Sequence, residues 1–95
     1  MEIIISKADK PNKKYMALVD GKRTIYFGAT GYSDFTIHKD EARKQRYLKR
    51  HGKNEQWNNP LTAGFYATNL LWNQPTLKQS INDINKRYNI NAKLK

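Results

Sequence analysis

The sequence predicts an α+β fold, a β-hairpin with a third strand packed against three helices, and three observations carry that reading. An Asp20-Gly21 pair separates two β-rich runs over 15–19 and 22–27, and Asp-Gly between such runs favours a two-residue turn because both central residues must take positive φ. Leu77, Ile81, Ile84 and Tyr88 recur at spacings of four, three and four, the period of one helix face. Between them, Asn59-Pro60 opens a run in which Leu61, Ala63, Phe65, Tyr66, Ala67, Leu70, Leu71 and Trp72 lie nearly all round a helical cylinder, the pattern of a buried helix.

Element by element, Ile3-Ile4-Ile5-Ser6 is a β-branched run that reads as the third strand. Pro11 and Asn12 then favour a turn, and Lys7, Lys10, Lys13 and Lys14 keep it in water. If Asp20 and Gly21 are the whole hairpin loop, Val19 faces Lys22 and Tyr15 faces Tyr26. That register assigns Met16, Leu18, Ile25 and Phe27 to the core face and Tyr15, Ala17, Thr24 and Tyr26 to the other. Residues 28–36 form a strand-to-helix connection, since their two glycines fit neither a Walker pattern nor GxGxxG. The first helix is expected over 38–51, with Asp40 and Glu41 in its opening turn and Lys49, Arg50 and His51 in its last. The second starts at Asn59-Pro60, a cap residue followed by proline, and runs to about residue 72. The third begins at Pro75. Residues 1–90 are expected to form a single α+β domain, and 91–95 a polar C-terminal tail that frays.

A chain of 95 residues allows one domain. Its 18 Lys+Arg against 8 Asp+Glu give 18 − 8 = +10, and the isoelectric point is near 10.0. Mean hydropathy is low, −0.93, but two Trp, six Tyr and three Phe argue for a packed core. With no cysteine, thiolate metal sites, disulfides and a cysteine nucleophile are excluded, and the chain is expected not to be secreted. No apolar run is long enough for a spanning helix, so no membrane partner is expected. Like charges crowded on a small body repel unless a polyanion offsets them, which makes nucleic acid the expected partner.

The charge is concentrated. Residues 7–53 hold 13 of the 18 Lys+Arg, and no acid occurs between Ala42 and Asn54. On one helix, Lys39, Arg43, Arg46, Arg50 and Lys53 fall on a stripe about 80° wide. Acids normally alternate with bases on a solvated face, and their lack here points to phosphate, which arginine grips in bidentate fashion. Lys13, Lys14, Lys22 and Arg23 of the hairpin region are expected to extend this surface. Zinc-finger spacing and RNA-recognition signatures are absent, so the expected contacts are to backbone phosphate, largely indifferent to sequence. Tyr15, Tyr26, Tyr32, Phe35 and Tyr47 could stack on unpaired bases or pack internally. Trp57 and Trp72 belong to the core or its edge.

The residues read as a binding module rather than an enzyme. Tyr15, then Tyr26-Phe27-Gly28-Ala29-Thr30, then Arg43 or Arg46 loosely resembles the GIY-YIG nuclease arrangement, which also needs a helical glutamate to hold a divalent ion. Only Glu55 and Asp83 are offered. His38 and His51, at the two ends of one expected helix, lie too far apart to share a metal. No catalytic residue, metal or cofactor is therefore assigned.

The stretch Phe27-Gly-Ala-Thr-Gly-Tyr-Ser-Asp-Phe-Thr-Ile-His-Lys-Asp40, followed by Arg43-Lys-x-Arg-Tyr47, Arg50-His51, Trp57, Asn59-Pro60-Leu-Thr-Ala-Gly-Phe65, Leu71-Trp72-Asn73 and Pro75-Thr-Leu77, is similar to a family of small basic uncharacterised proteins encoded by large nucleocytoplasmic DNA viruses. The resemblance implies a viral protein of the virion or infected host cytoplasm, where DNA, ahead of RNA, would be the polyanion met. The alternative from a different class is a minor virion structural module whose basic side docks on acidic virion proteins.

Overall fold

The computed structural model describes residues 1–51 and 58–95. Among them the chain is α+β, a four-stranded sheet with helices. β1 (Glu2–Lys7), β2 (Lys13–Val19) and β3 (Arg23–Ala29) form an antiparallel meander, and β4 (Asn91–Leu94) lies parallel to β1, giving the order β3-β2-β1-β4. Ile3 and Ile5 of β1, Ala17 and Val19 of β2, Ile25 and Phe27 of β3 and Ala92 of β4 are buried on one sheet face. Phe65, Tyr66, Leu70, Leu71, Ile81 and Ile84 cover that face from the helices.

The hairpin forms, with a register one residue from the expected one. Asp20 and Gly21 take φ of 52° and 66°, and Lys22 donates its backbone N–H to the Val19 carbonyl at 3.0 Å, the turn that Asp-Gly favours. Yet Val19 pairs with Arg23 and Tyr15 with Phe27, leaving Lys22 as an extra residue. A one-residue slip turns every side chain of one strand over. Ile25 and Phe27 face the core as expected, but so do Ala17 and Val19, whereas Leu18 is 38 % exposed and Met16 only half-buried. β1 decides the matter, because Ile3 pairs with Val19 and Ile5 with Ala17, lining four apolar residues on one face.

The expected first helix starts three residues later than 38, and a short helix precedes it where a connection was expected. α1 (Phe35–His38) is capped by the Asp34 side chain, which accepts from the Thr36 N–H at 3.0 Å. Lys39 then takes left-handed backbone, φ 54°, and Asp40 caps a new helix, α2 (Glu41–His51), by accepting from the Ala42 N–H at 3.0 Å. Asp40 satisfies N–H groups that have no partner in a first turn, and this local gain starts α2 afresh.

The next helix begins later than Asn59-Pro60. Those residues form a turn closed by the Thr62 N–H on the Asn59 carbonyl, 3.1 Å, with proline at the second position, where its fixed φ suits the turn as well as a helix start. Thr62 caps α3 (Ala63–Tyr66), which runs straight into a π-helical segment, Ala67–Leu71. Its burial of Phe65, Tyr66, Leu70 and Leu71 makes it the central helical element, as the all-round apolar pattern predicts. Thr76, rather than Pro75, precedes α4 (Leu77–Tyr88) as its cap, and Ile81 and Ile84 are buried on the expected stripe.

The segment expected to be a fraying tail is strand β4. Its Ala92 is buried, and Lys95 donates its backbone N–H to the Ile5 carbonyl at 2.7 Å. No helix of the described residues is long and apolar enough to cross a membrane.

Candidate anion-binding cleft

α2 buries none of its side chains fully. It docks through half-buried Lys44, Tyr47, Leu48 and His51, positions that share one helix face. Tyr47 lies flat on Trp72, with ring centroids 4.3 Å apart and planes 3° from parallel, and His51 stacks on Tyr47 at 4.3 Å. Lys44 donates Nζ to the Asn73 carbonyl at 2.7 Å and stands 4.9 Å over the Phe35 ring. The helix is thus held by rings and by one lysine, which removes Lys44 from the free cations.

Given that docking side, Arg43, Arg46 and Arg50 fall within about 60° of arc beside it. All three are exposed, and none forms a salt bridge among the described residues, where the ion pairs are Lys14–Asp34 and Asp83–Arg87. The nearby acids are engaged elsewhere. Asp34 accepts from Lys14 Nζ at 2.6 Å, Asp40 caps α2, and Glu41 accepts from Gln45 Nε2 at 2.9 Å. The stripe therefore keeps its charge.

Beside it lies a cleft of about 370 Å³. Lys14 and Gly28 from the end of the hairpin, Tyr32 and Asp34 from the loop before α1, Arg43 and Arg50 from α2, and Leu71 and Trp72 from the π-helical segment and its end all line it. Gly28, at φ 77°, marks a close approach of the sheet to the π-helical segment. A Cβ there would stand 2.9 Å from Leu71 Cδ1 and 3.2 Å from the Lys14 side chain, so the glycine brings the cleft's walls together. Tyr32 is 74 % exposed at the rim.

The nine cations expected as one surface are divided. Arg43 and Arg50 line the cleft with Lys14, but Lys14 is paired with Asp34. Arg46 stands on the same face of α2 outside the cleft lining. Lys39 leaves the stripe, because the helix breaks there and its Nζ donates to the Thr36 carbonyl at 2.7 Å. Lys53 lies outside the described residues, as do Glu55 and Trp57. Lys13 sits half-buried opposite Ala29. Lys22 and Arg23 are exposed at the other end of the hairpin, about 20 Å away at about 3.3 Å per strand residue. The Asp34 pairing was missed in the sequence; only its capping position before Phe35-Thr36 hinted that its carboxylate would be fixed in place.

Tyr15 and Tyr26 point to opposite faces of the sheet. Tyr15 stacks on Phe27 at 5.8 Å, while Tyr26 donates its hydroxyl to Asp9 at 2.6 Å. That bond, which needs the phenol proton, raises the Tyr26 pKa. The paired tyrosines of the nuclease-like reading are therefore not brought together. Among the described residues no group of three or more His, Asp or Glu side chains could hold a metal ion. His38, which packs against Trp72 at 5.3 Å, and His51 stand on different helices.

A family model described as a family of unknown function, DUF5754, matches residues 3–51. The chain belongs to the DUF5754 family. The DUF5754 match runs from β1 through the last residue of α2, and so contains the whole arginine face but not the π-helical wall of the cleft. No curated protein and no solved structure matches the chain.

Proposed function

We propose that this chain is a nucleic-acid-binding protein that holds backbone phosphate through Arg43, Arg46 and Arg50, with little dependence on base sequence. The supporting observation is that three arginines share one face of α2 while every described carboxylate nearby is committed to a cap, to Lys14 or to Gln45. Uncompensated guanidinium groups gain when phosphates displace their counterions. Our reading places DNA ahead of RNA and the protein in a virion or infected cytoplasm, on the resemblance to small proteins of large DNA viruses. An acidic protein partner is less favoured. Tyr15, Tyr26 and Tyr32 do not gather into an exposed aromatic patch, since Tyr15 is half-buried on Phe27 and Tyr26 is tied to Asp9.

The test is the salt dependence of DNA affinity. Fluorescence anisotropy with a labelled duplex between about 50 and 200 mM KCl should give a log–log slope of about −3 if the three arginines each meet one phosphate, and each arginine changed to glutamine should reduce its magnitude by about one. A slope near zero, or one unmoved by the triple substitution, removes the reading.

A further inference from the structure

The arginine face adjoins a recess, and the two together define a more specific ligand than a duplex backbone. We infer that the cleft seats one unpaired nucleotide, its base against Tyr32 and its phosphate between Arg43 and Arg50, so that the chain prefers single-stranded nucleic acid to duplex. Because this rests on the phosphate-binding reading of α2, its test must separate the two.

Size comes first. The cleft of about 370 Å³ falls near the lower end of small-ligand sites, which run from about 300 to 1,000 Å³. It is far too small for a duplex and suited to one base with its phosphate. Charge comes second. Of the three cations on its walls, Lys14 is neutralised by Asp34 at 2.6 Å, whereas Arg43 and Arg50 have no salt bridge among the described residues. Two free guanidinium groups on one wall fit a phosphate, with its several acceptor oxygens and bidentate geometry. Apolar surface comes third. Leu71, Ala67 and Trp72 offer a hydrophobic side to the same recess, and Tyr32 stands at its rim with 74 % of its surface in solvent. Its ring contacts no other ring among the described residues. A large aromatic side chain left in water beside free cations is how proteins that hold single strands present a stacking platform, because any base has a face to stack.

A base already stacked and paired in a duplex cannot enter such a recess without first being turned out of the helix. An unpaired base can. Backbone contacts to the exposed arginine face of α2 remain open to either form.

The experiment compares an oligothymidylate of about twelve nucleotides with a duplex of the same length at matched salt, by fluorescence anisotropy, for the full chain and for Tyr32→Ala and Tyr32→Phe. The single strand should bind at least about tenfold more tightly; Tyr32→Ala should weaken single-strand binding about tenfold and leave duplex binding unchanged, and Tyr32→Phe should retain most of it. Tyr32 is exposed, so both variants should fold, as circular dichroism would verify. Equal affinity for the two forms, or a Tyr32→Ala effect that is absent or the same on both, overturns the cleft inference while leaving phosphate binding by α2 in place. Failure of both oligonucleotides to bind overturns the two together.

Discussion

Asp34 shows how much one residue sets in this molecule. It is 2 % exposed, caps α1 through Thr36, and takes the Lys14 ammonium at 2.6 Å in the wall of the cleft. Asp34→Asn keeps an oxygen for the Thr36 N–H but removes the charge facing Lys14, which is 14 % exposed and partly cut off from water. Breaking one side of a mostly buried pair leaves the other uncompensated, so stability should fall by about 2 to 3 kcal/mol in urea unfolding. The same change frees a third cation in the cleft, and the salt slope for DNA should steepen by about one. A variant that loses stability without gaining slope would place Lys14 outside the ligand's reach.

At the scale of elements, β4 depends on a side chain from α4. Asn85 accepts from the Ala92 N–H at 2.8 Å and donates to the Ala92 carbonyl at 3.0 Å, occupying backbone groups on the side of β4 away from β1. An amide placed this way covers a sheet edge that would otherwise be open to another strand. Asn85→Ala should lower stability by about 1 to 3 kcal/mol and raise hydrogen exchange at the Ala92 amide, with β2 and β3 unchanged; undiminished protection there would show that pairing with β1 alone holds the strand. This element was illegible in the sequence for the same reason that it needs Asn85. Asn-Ala-Lys-Leu carries no β-branched residue, and its order comes from β1 and α4, both remote in the chain. The hairpin turn was legible because Asp-Gly sets its own φ, whereas the register was not, because β1 chooses which face of β2 it covers. The arginine face was legible because helical spacing alone places positions 43, 46 and 50 together. Which other cations join it depends on partners such as Asp34 and Thr36, and on the break at Lys39, where the Asp40 cap outweighed helix continuation.

For the whole molecule, a surface of net charge +10 encloses an interior in which three side-chain polar atoms, His38 Nε2, the Tyr66 hydroxyl and Thr68 Oγ1, have no hydrogen-bond partner among the described residues. Tyr66 is fully buried, stacked on Phe27 at 5.4 Å and set edge-on to Phe65 at 5.0 Å, and its hydroxyl has no hydrogen-bond partner among the described residues. Burial first, and the Asp20 carboxylate second, hold its phenol far above the usual value of 10.0. The folded chain therefore keeps this proton more tightly than the unfolded chain. The contribution of Tyr66 to stability is complete below pH about 10 and is lost as pH rises from there toward the folded value. Urea unfolding across that range should show the decline, and because the phenol lies in the interior, concentrated salt that screens surface charge should not abolish it. Tyr66→Phe removes a hydroxyl that is desolvated without compensation, so at neutral pH the variant should be as stable as the parent or about 1 kcal/mol more so, and its alkaline decline should be shallower. Parallel losses in the two proteins above pH 10 would mean that the alkaline weakness lies at the surface and not at this ring.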